Sequence, residues 1–133
     1  MLIRIVQNAK SQLIVHLLKE INNKLQVSKL DSLEKLNIPT NLHVHGLHVS
    51  PLGNSDNPFI TVAAGKSFDY EIKIPKNQNS GIFWYHPHHH GMVAAEEASG
   101  LYGMILIQDA IDQQPAFTGS DQLLLTLAAP IFG

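Results

Sequence analysis

Two short segments hold the side chains best suited to chemistry, Leu42-His-Val-His-Gly46 and Trp84-Tyr-His-Pro-His-His-His-Gly91. Imidazole binds copper, zinc, nickel and iron, so the ligand type alone leaves the metal open. The spacing says more. Side chains at i and i+2 of a strand leave the same face, so His43 with His45, and His86 with His88, each send two imidazoles in one direction. Two such strands packed side by side would converge four nitrogen ligands. A catalytic zinc site usually takes three protein ligands and keeps one position open. Four imidazoles in two pairs therefore favour a multinuclear site, or one shared with another domain.

Such convergence needs strands, and the chain offers about seven: Leu2–Val6, Leu13–Leu18, Leu42–Val49, Phe68–Ile74, Ile82–His86, Leu101–Ile107 and Leu123–Leu127. Turn-forming stretches separate them, among them Pro51-Leu-Gly-Asn-Ser-Asp-Asn-Pro58 and Pro75-Lys-Asn-Gln-Asn-Ser-Gly81. That spacing predicts an all-β fold, a Greek-key β-sandwich. Between Ser11 and Asn37 the pattern is double, because Ile14, Leu17, Leu18, Ile21 and Leu25 also fit one face of a helix. Asp31-Ser-Leu-Glu34 carries a helix-start signal, and a short helix is expected around residues 28–37. One domain is expected over residues 1–110, with 111–133 as a linker and the start of a following strand or domain.

Composition narrows the function classes. At 133 residues and 44% hydrophobic, the chain suits one globular core and not a disordered segment. Nine Lys+Arg against eleven Asp+Glu leave a formal charge of −2, which argues against a nucleic-acid partner. No apolar run reaches bilayer length, and Met1-Leu-Ile-Arg-Ile-Val-Gln-Asn8 lacks the parts of a secretory signal. The absence of cysteine removes disulfides, thiolate zinc sites, iron–sulfur clusters and thiol nucleophiles. Imidazole must carry any soft-metal chemistry.

The remaining polar and aromatic residues read more plainly. His48 falls on the opposite strand face from His43 and His45, at the surface or supporting the cluster without ligating it, and His16 reads as structural. His90 is expected to support the cluster without ligating it, and His89 to point away. Met92 and Met104 read as core filler, and Trp84 and Tyr85 as packing around the site. Glu96 and Glu97 are placed in a solvated loop before Ser99-Gly100. Gly46, Gly91 and Gly103 read as turns or points of close backbone approach, since no strand, Gly-rich loop and helix surround them.

Four stretches, Asn41-Leu-His-Val-His-Gly-Leu-His-Val-Ser-Pro51, Gly53-Asn-Ser-Asp-Asn-Pro-Phe59, Gly81-Ile-Phe-Trp-Tyr-His-Pro-His-His-His-Gly91 and Gly100-Leu-Tyr-Gly-Met-Ile-Leu-Ile-Gln108, resemble the N-terminal cupredoxin domain of laccase-like multicopper oxidases. The resemblance runs from about Pro39 to Asp109, in the family's order and spacing. It implies a cupredoxin-like fold and copper as cofactor. His43 matches the type-2 copper ligand, and His45, His86 and His88 match ligands of the paired type-3 coppers. Together they would be half of a trinuclear cluster that reduces dioxygen to water. Asp56 lies near the family's acidic residue that assists proton delivery to oxygen. A periplasmic or extracellular location is also implied.

Two departures from the family limit this reading. The type-1 copper site needs a cysteine thiolate, and the chain has none. The second pair of His-x-His motifs is also absent, so the expected partner is a second cupredoxin domain or subunit that carries both. A homo-oligomer is a further arrangement, because two copies related by a two-fold axis would bring four and four histidines face to face. The competing reading is a stand-alone copper or zinc domain, or a structural one, without oxidase turnover. A cupin fits less well, since the glutamate its motif expects is missing from Gly46–Asn54.

Overall fold

The computed structural model describes residues 2–7, 15–21, 24–30, 38–108, 114–116, 125–127 and 129. Seven strands and one short helix are present among them: β1 (Leu2–Gln7), β2 (Val15–Ile21), β3 (Lys24–Leu30), β4 (His43–His45), β5 (Tyr70–Lys73), β6 (Gly81–His86), α1 (Val93–Ala98) and β7 (Gly103–Gln108). They form a four-stranded sheet in the order β1-β7-β6-β4 and a three-stranded sheet in the order β2-β3-β5. Every pairing is antiparallel. No helix among them is long and apolar enough to cross a membrane.

The alternation of side chains builds one core from both sheets. Val44 on β4, Tyr70 and Ile72 on β5, Tyr85 on β6 and Ile105 and Ile107 on β7 are all buried in a single cluster, with Leu42, Leu47, Val62, Ile74 and Leu101 around them. Burial of these β-branched and aromatic groups is the main favourable contribution to the fold, about 1.5–3 kcal/mol for each large side chain fully removed from water. Tyr70 also ties the second sheet to the approach of β4, because its hydroxyl accepts the Leu42 amide hydrogen at 3.1 Å. Burial pushes the Tyr70 phenol up to about 12, so it remains a neutral hydroxyl at physiological pH. Met104 is buried, as expected of core filler.

Three local expectations are corrected. The helix expected around residues 28–37 is not present over its first residues, because β3 runs to Leu30; residues 31–37 lie outside the described set. The helical periodicity of Ile14 to Leu25 competed with a period of two, and the sheet supplied the partner that periodicity cannot see. β3 pairs β2 on one side and β5 on the other, with Leu25 opposite Ile72 and Val27 opposite Tyr70. The strand expected at Leu123–Leu127 is not found over 125–127, which carry no regular structure. Conversely, the segment read as a solvated loop forms α1, and the Ala/Glu-rich Val93-Ala-Ala-Glu-Glu-Ala98 has the propensity to do so.

Gly103 shows how closely the sheet packs. A Cβ at this position would overlap the phenol ring of Tyr85, its neighbour across β6 and β7. Gly103→Ala must displace a buried ring and is expected to cost about 1–3 kcal/mol. Chemical denaturation should register this as a lower midpoint with an unchanged slope.

Candidate metal centre

The pleat of β4 points Val44 into the core and sends His43 and His45 to the opposite face. Antiparallel pairing with β6 sets His43 opposite His86 and His45 opposite Trp84. All four rings therefore share one face. Gly46 then turns the chain at φ 88°, and a Cβ there would meet the Phe83 ring at 3.0 Å. After β6, Pro87 ends the strand and His88 follows in a loop. Asn41, itself buried, holds that loop: its Oδ1 accepts the His88 amide hydrogen at 2.6 Å, and its Nδ2 donates to the Pro58 carbonyl at 3.2 Å.

One ring nitrogen from each of His43, His45 and His86 lies within 4.8 Å of the others, so the three could hold a metal ion. The closest pair is His45 Nδ1 and His86 Nε2 at 3.4 Å. Two nitrogens at roughly 2.0–2.1 Å from one tetrahedral ion would be separated by about that span. His88 is adjacent without belonging to this trio; its ring centroid lies 5.2 Å from that of His43 and 6.0 Å from that of His86. Its Nδ1 is buried with no hydrogen-bond partner among the described residues, an orphan that a ligand would satisfy.

The partners of each ring decide which nitrogen is free. His43 Nδ1 faces both oxygens of Asp56, at 2.9 and 3.0 Å. An ionised carboxylate only accepts, so His43 carries its proton on Nδ1 and presents the lone pair of Nε2. Asp56 also accepts the Val44 amide hydrogen at 3.0 Å, which fixes the carboxylate to β4. His86 Nδ1 has two acceptors, the Pro87 carbonyl at 2.8 Å and Glu97 Oε1 at 2.7 Å. Its Nε2 is thereby freed toward the cluster. Burial, at 5% exposure, is the main cause that lowers the His86 pKa to about 4, and the surrounding His43, His45 and His88 add to it. The ring is neutral, as a metal ligand must be, across the physiological range.

Trp84 is more than general packing. Its ring stacks on His86 at 4.0 Å and 19°, and on His45 at 5.1 Å and 26°. It packs against both imidazoles while remaining 36% exposed. His48 is exposed, and its amide hydrogen is donated to Gln78 Oε1 at 2.8 Å, in keeping with a surface position. His90 has its ring 5.9 Å from His88, beyond the trio.

Two residues of this neighbourhood were missed in the sequence. Glu97 reaches back from α1 to His86, and Asn41 connects the two histidine segments. The helix propensity of 93–98 could have relocated Glu97, but no pattern signals Asn41. Glu96, also expected in solvent, is 1% exposed, and neither of its oxygens has a hydrogen-bond partner of good geometry. Burial raises its pKa, against a smaller opposing pull from the Thr40 hydroxyl.

Comparison with known proteins agrees with this geometry. A family model described as multicopper oxidase matches residues 20–112. The chain is 35% identical over 83 residues to a multicopper oxidase of Staphylococcus haemolyticus, covering 62% of this chain and 18% of that protein. A Staphylococcus aureus multicopper oxidase is 32% identical over 82 residues, covering 61% of this chain and 17% of that one. Among solved structures, a multicopper oxidase from Campylobacter jejuni, described as a metallo-oxidase, aligns with a TM-score of 0.54 and 32% identity over 64% of this chain and 17% of that chain. A laccase-like multicopper oxidase from Ochrobactrum sp. aligns with a TM-score of 0.52 and 30% identity over 68% of this chain and 18% of that chain. The chain thus spans less than a fifth of the length of these relatives.

Proposed function

The chain belongs to the multicopper oxidase family, and from that premise we propose that it supplies half of the histidine ligands of a trinuclear copper cluster that reduces dioxygen to water. His43 serves the type-2 copper, and His45, His86 and His88 serve the type-3 pair. The complementary histidines and the type-1 cysteine come from a second cupredoxin domain or subunit, since this sequence has no cysteine and covers so little of its relatives. Residues 1–110 act as the cupredoxin unit and 111–133 lead toward that partner, in a periplasmic or extracellular setting.

The observation that carries this reading is the convergence of His43, His45 and His86 nitrogens within 4.8 Å, from two paired strands. Asp56 and Glu97 hold the protons of His43 and His86 on Nδ1, away from the cluster. In the metal-free protein His45 Nδ1 can donate to His86 Nε2. His45 is exposed, and a proton carried on its Nε2 instead leaves Nδ1 as a donor to metal. Copper held there would relay to dioxygen the electrons that a reducing substrate delivers through the partner's type-1 site. Asp56, a mostly buried carboxylate beside His43, is the group that passes protons from water toward the reacting oxygen.

Copper titration tests the reading, with Trp84 as an internal reporter because it is the only tryptophan. Copper(II) should quench its fluorescence, with nitrogen couplings in the paramagnetic resonance spectrum and no thiolate-to-copper absorption band. A preparation whose Trp84 emission and resonance spectrum ignore copper overturns the proposal. Zinc held in preference to copper would instead favour a stand-alone metal domain without turnover.

A further inference from the structure

Resting on the copper-site reading, we propose that Glu97 is a positioning residue that orients His86 and, through its negative charge, biases the site toward copper(II) over copper(I). The contact is specific. Glu97 Oε1 lies 2.7 Å from His86 Nδ1, within the range of a charge-assisted hydrogen bond. The opposite nitrogen of the same ring is the one turned toward His45.

The fold holds the carboxylate in position from behind. Glu96 anchors α1 in the core, and the next residue on the helix is turned toward His86. The helix end is closed by three amide hydrogens: Gly100 donates to the Glu97 carbonyl at 2.8 Å, and Ser99 and Leu101 donate to the Glu96 carbonyl at 3.1 and 3.2 Å. Glu97 also lines a cavity of about 610 Å³ whose other walls include Ile82, Trp84, Ala94 and Met104. The Glu97 side chain is 33% exposed, so solvent screens it in part and its effect on the ring comes through the direct 2.7 Å contact.

The chemistry follows from what a hydrogen-bonded carboxylate does to imidazole. Drawing the Nδ1 proton toward oxygen raises electron density at Nε2, so the ring becomes a better donor, most of all to the more highly charged ion. The Pro87 carbonyl, at 2.8 Å, shares the same proton. Loss of Glu97 therefore leaves the tautomer in place but removes the charge. That separates the role of Glu97 from simple ring orientation.

The experiment compares the parent chain with Glu97→Gln and Glu97→Ala, using copper(II) and copper(I) against competing chelators, together with the His86 Nδ1 proton resonance of the metal-free proteins. Glu97→Gln keeps an oxygen acceptor without the charge. Its copper(II) affinity should fall by about tenfold with copper(I) affinity nearly unchanged, and Glu97→Ala should approach a hundredfold loss. In both variants the Nδ1 proton should move upfield. Should Glu97→Ala fail to fold, as judged by its amide spectrum, Glu97→Gln decides alone. A Glu97→Gln protein that holds copper(II) as tightly as the parent, or loses both oxidation states equally, overturns the inference. A parent chain that binds no copper overturns the copper-site reading instead, and an unmoved His86 proton in the variants then overturns the Glu97 contact separately.

Discussion

Copper affinity is expected to fall by more than about a hundredfold in a His86→Ala protein, a larger loss than the ten- to hundredfold usual when only a group supporting a ligand is removed. His86 stands at the centre of the constellation: its ring lies 5.2 Å from His43, 5.7 Å from His45 and 4.0 Å from Trp84. Its Nε2 is half of the closest ligand pair. Removal deletes one donor, leaves Glu97 without the imidazole it faces and takes from Trp84 the closer of its two stacked rings. His48→Ala, three residues past the first pair and exposed, should bind copper as the parent does. Isothermal titration of both variants beside the parent checks the contrast; equal affinities in all three would remove His86 from the site.

The same histidine predicts an acid response in the metal-free protein. Its folded pKa of about 4 lies below the ordinary histidine value of 6.5. Folding therefore opposes its protonation. Its contribution to stability is complete above pH 6.5 and is lost as the pH falls through about 4, to a total of about 3 kcal/mol. His86→Ala should flatten this part of the pH–stability curve while it weakens copper binding to the extent given above, a combination that a general packing defect would not produce.

The second large effect is expected at Asp56. One carboxylate serves two groups, the His43 ring and the Val44 amide hydrogen, and both lie on β4. Asp56→Ala should lower copper affinity by ten- to a hundredfold through misorientation of His43. It should also cost about 1–3 kcal/mol, because the amide of Val44, a residue buried in the core, loses its acceptor. Asp56→Asn retains an oxygen for that amide, so most of the stability should return while affinity stays reduced. If Asp56 also relays protons, Asp56→Asn in the assembled oxidase should slow oxygen reduction beyond what copper occupancy explains. Thermal melts and copper competition on the two variants separate these contributions, and parent-like values for Asp56→Ala in both would exclude Asp56 from the site.

Much of the arrangement was legible before any fold was known, and the reasons are local. His43 and His45 share a face because strand residues two apart always do, and Val44 between them alternates into the core. The same rule extends across β6, where Trp84 and His86 leave on one side and Tyr85 on the other. What misled was equally local. The apolar residues from Ile14 to Leu25 satisfy two periods at once, and the pairing of β3 with β2 and β5 decides between them. Glu96 and Glu97 were assigned to solvent because charge normally is, yet one is buried and the other is bound to an imidazole.

The sequence by itself determined which side chains are present and which way each points along its own strand, and it excluded thiolate chemistry by containing no cysteine. Only the tertiary structure decided which of them meet. The register that sets His43 against His86, the loop that carries Asp56 onto His43, the side chain of Asn41 that secures His88, and the turn of helix that returns Glu97 to His86 all depend on contacts between residues distant in sequence. Those contacts arise from burial of a shared core and from satisfaction of its polar groups, which are properties of the assembled chain and of no single segment.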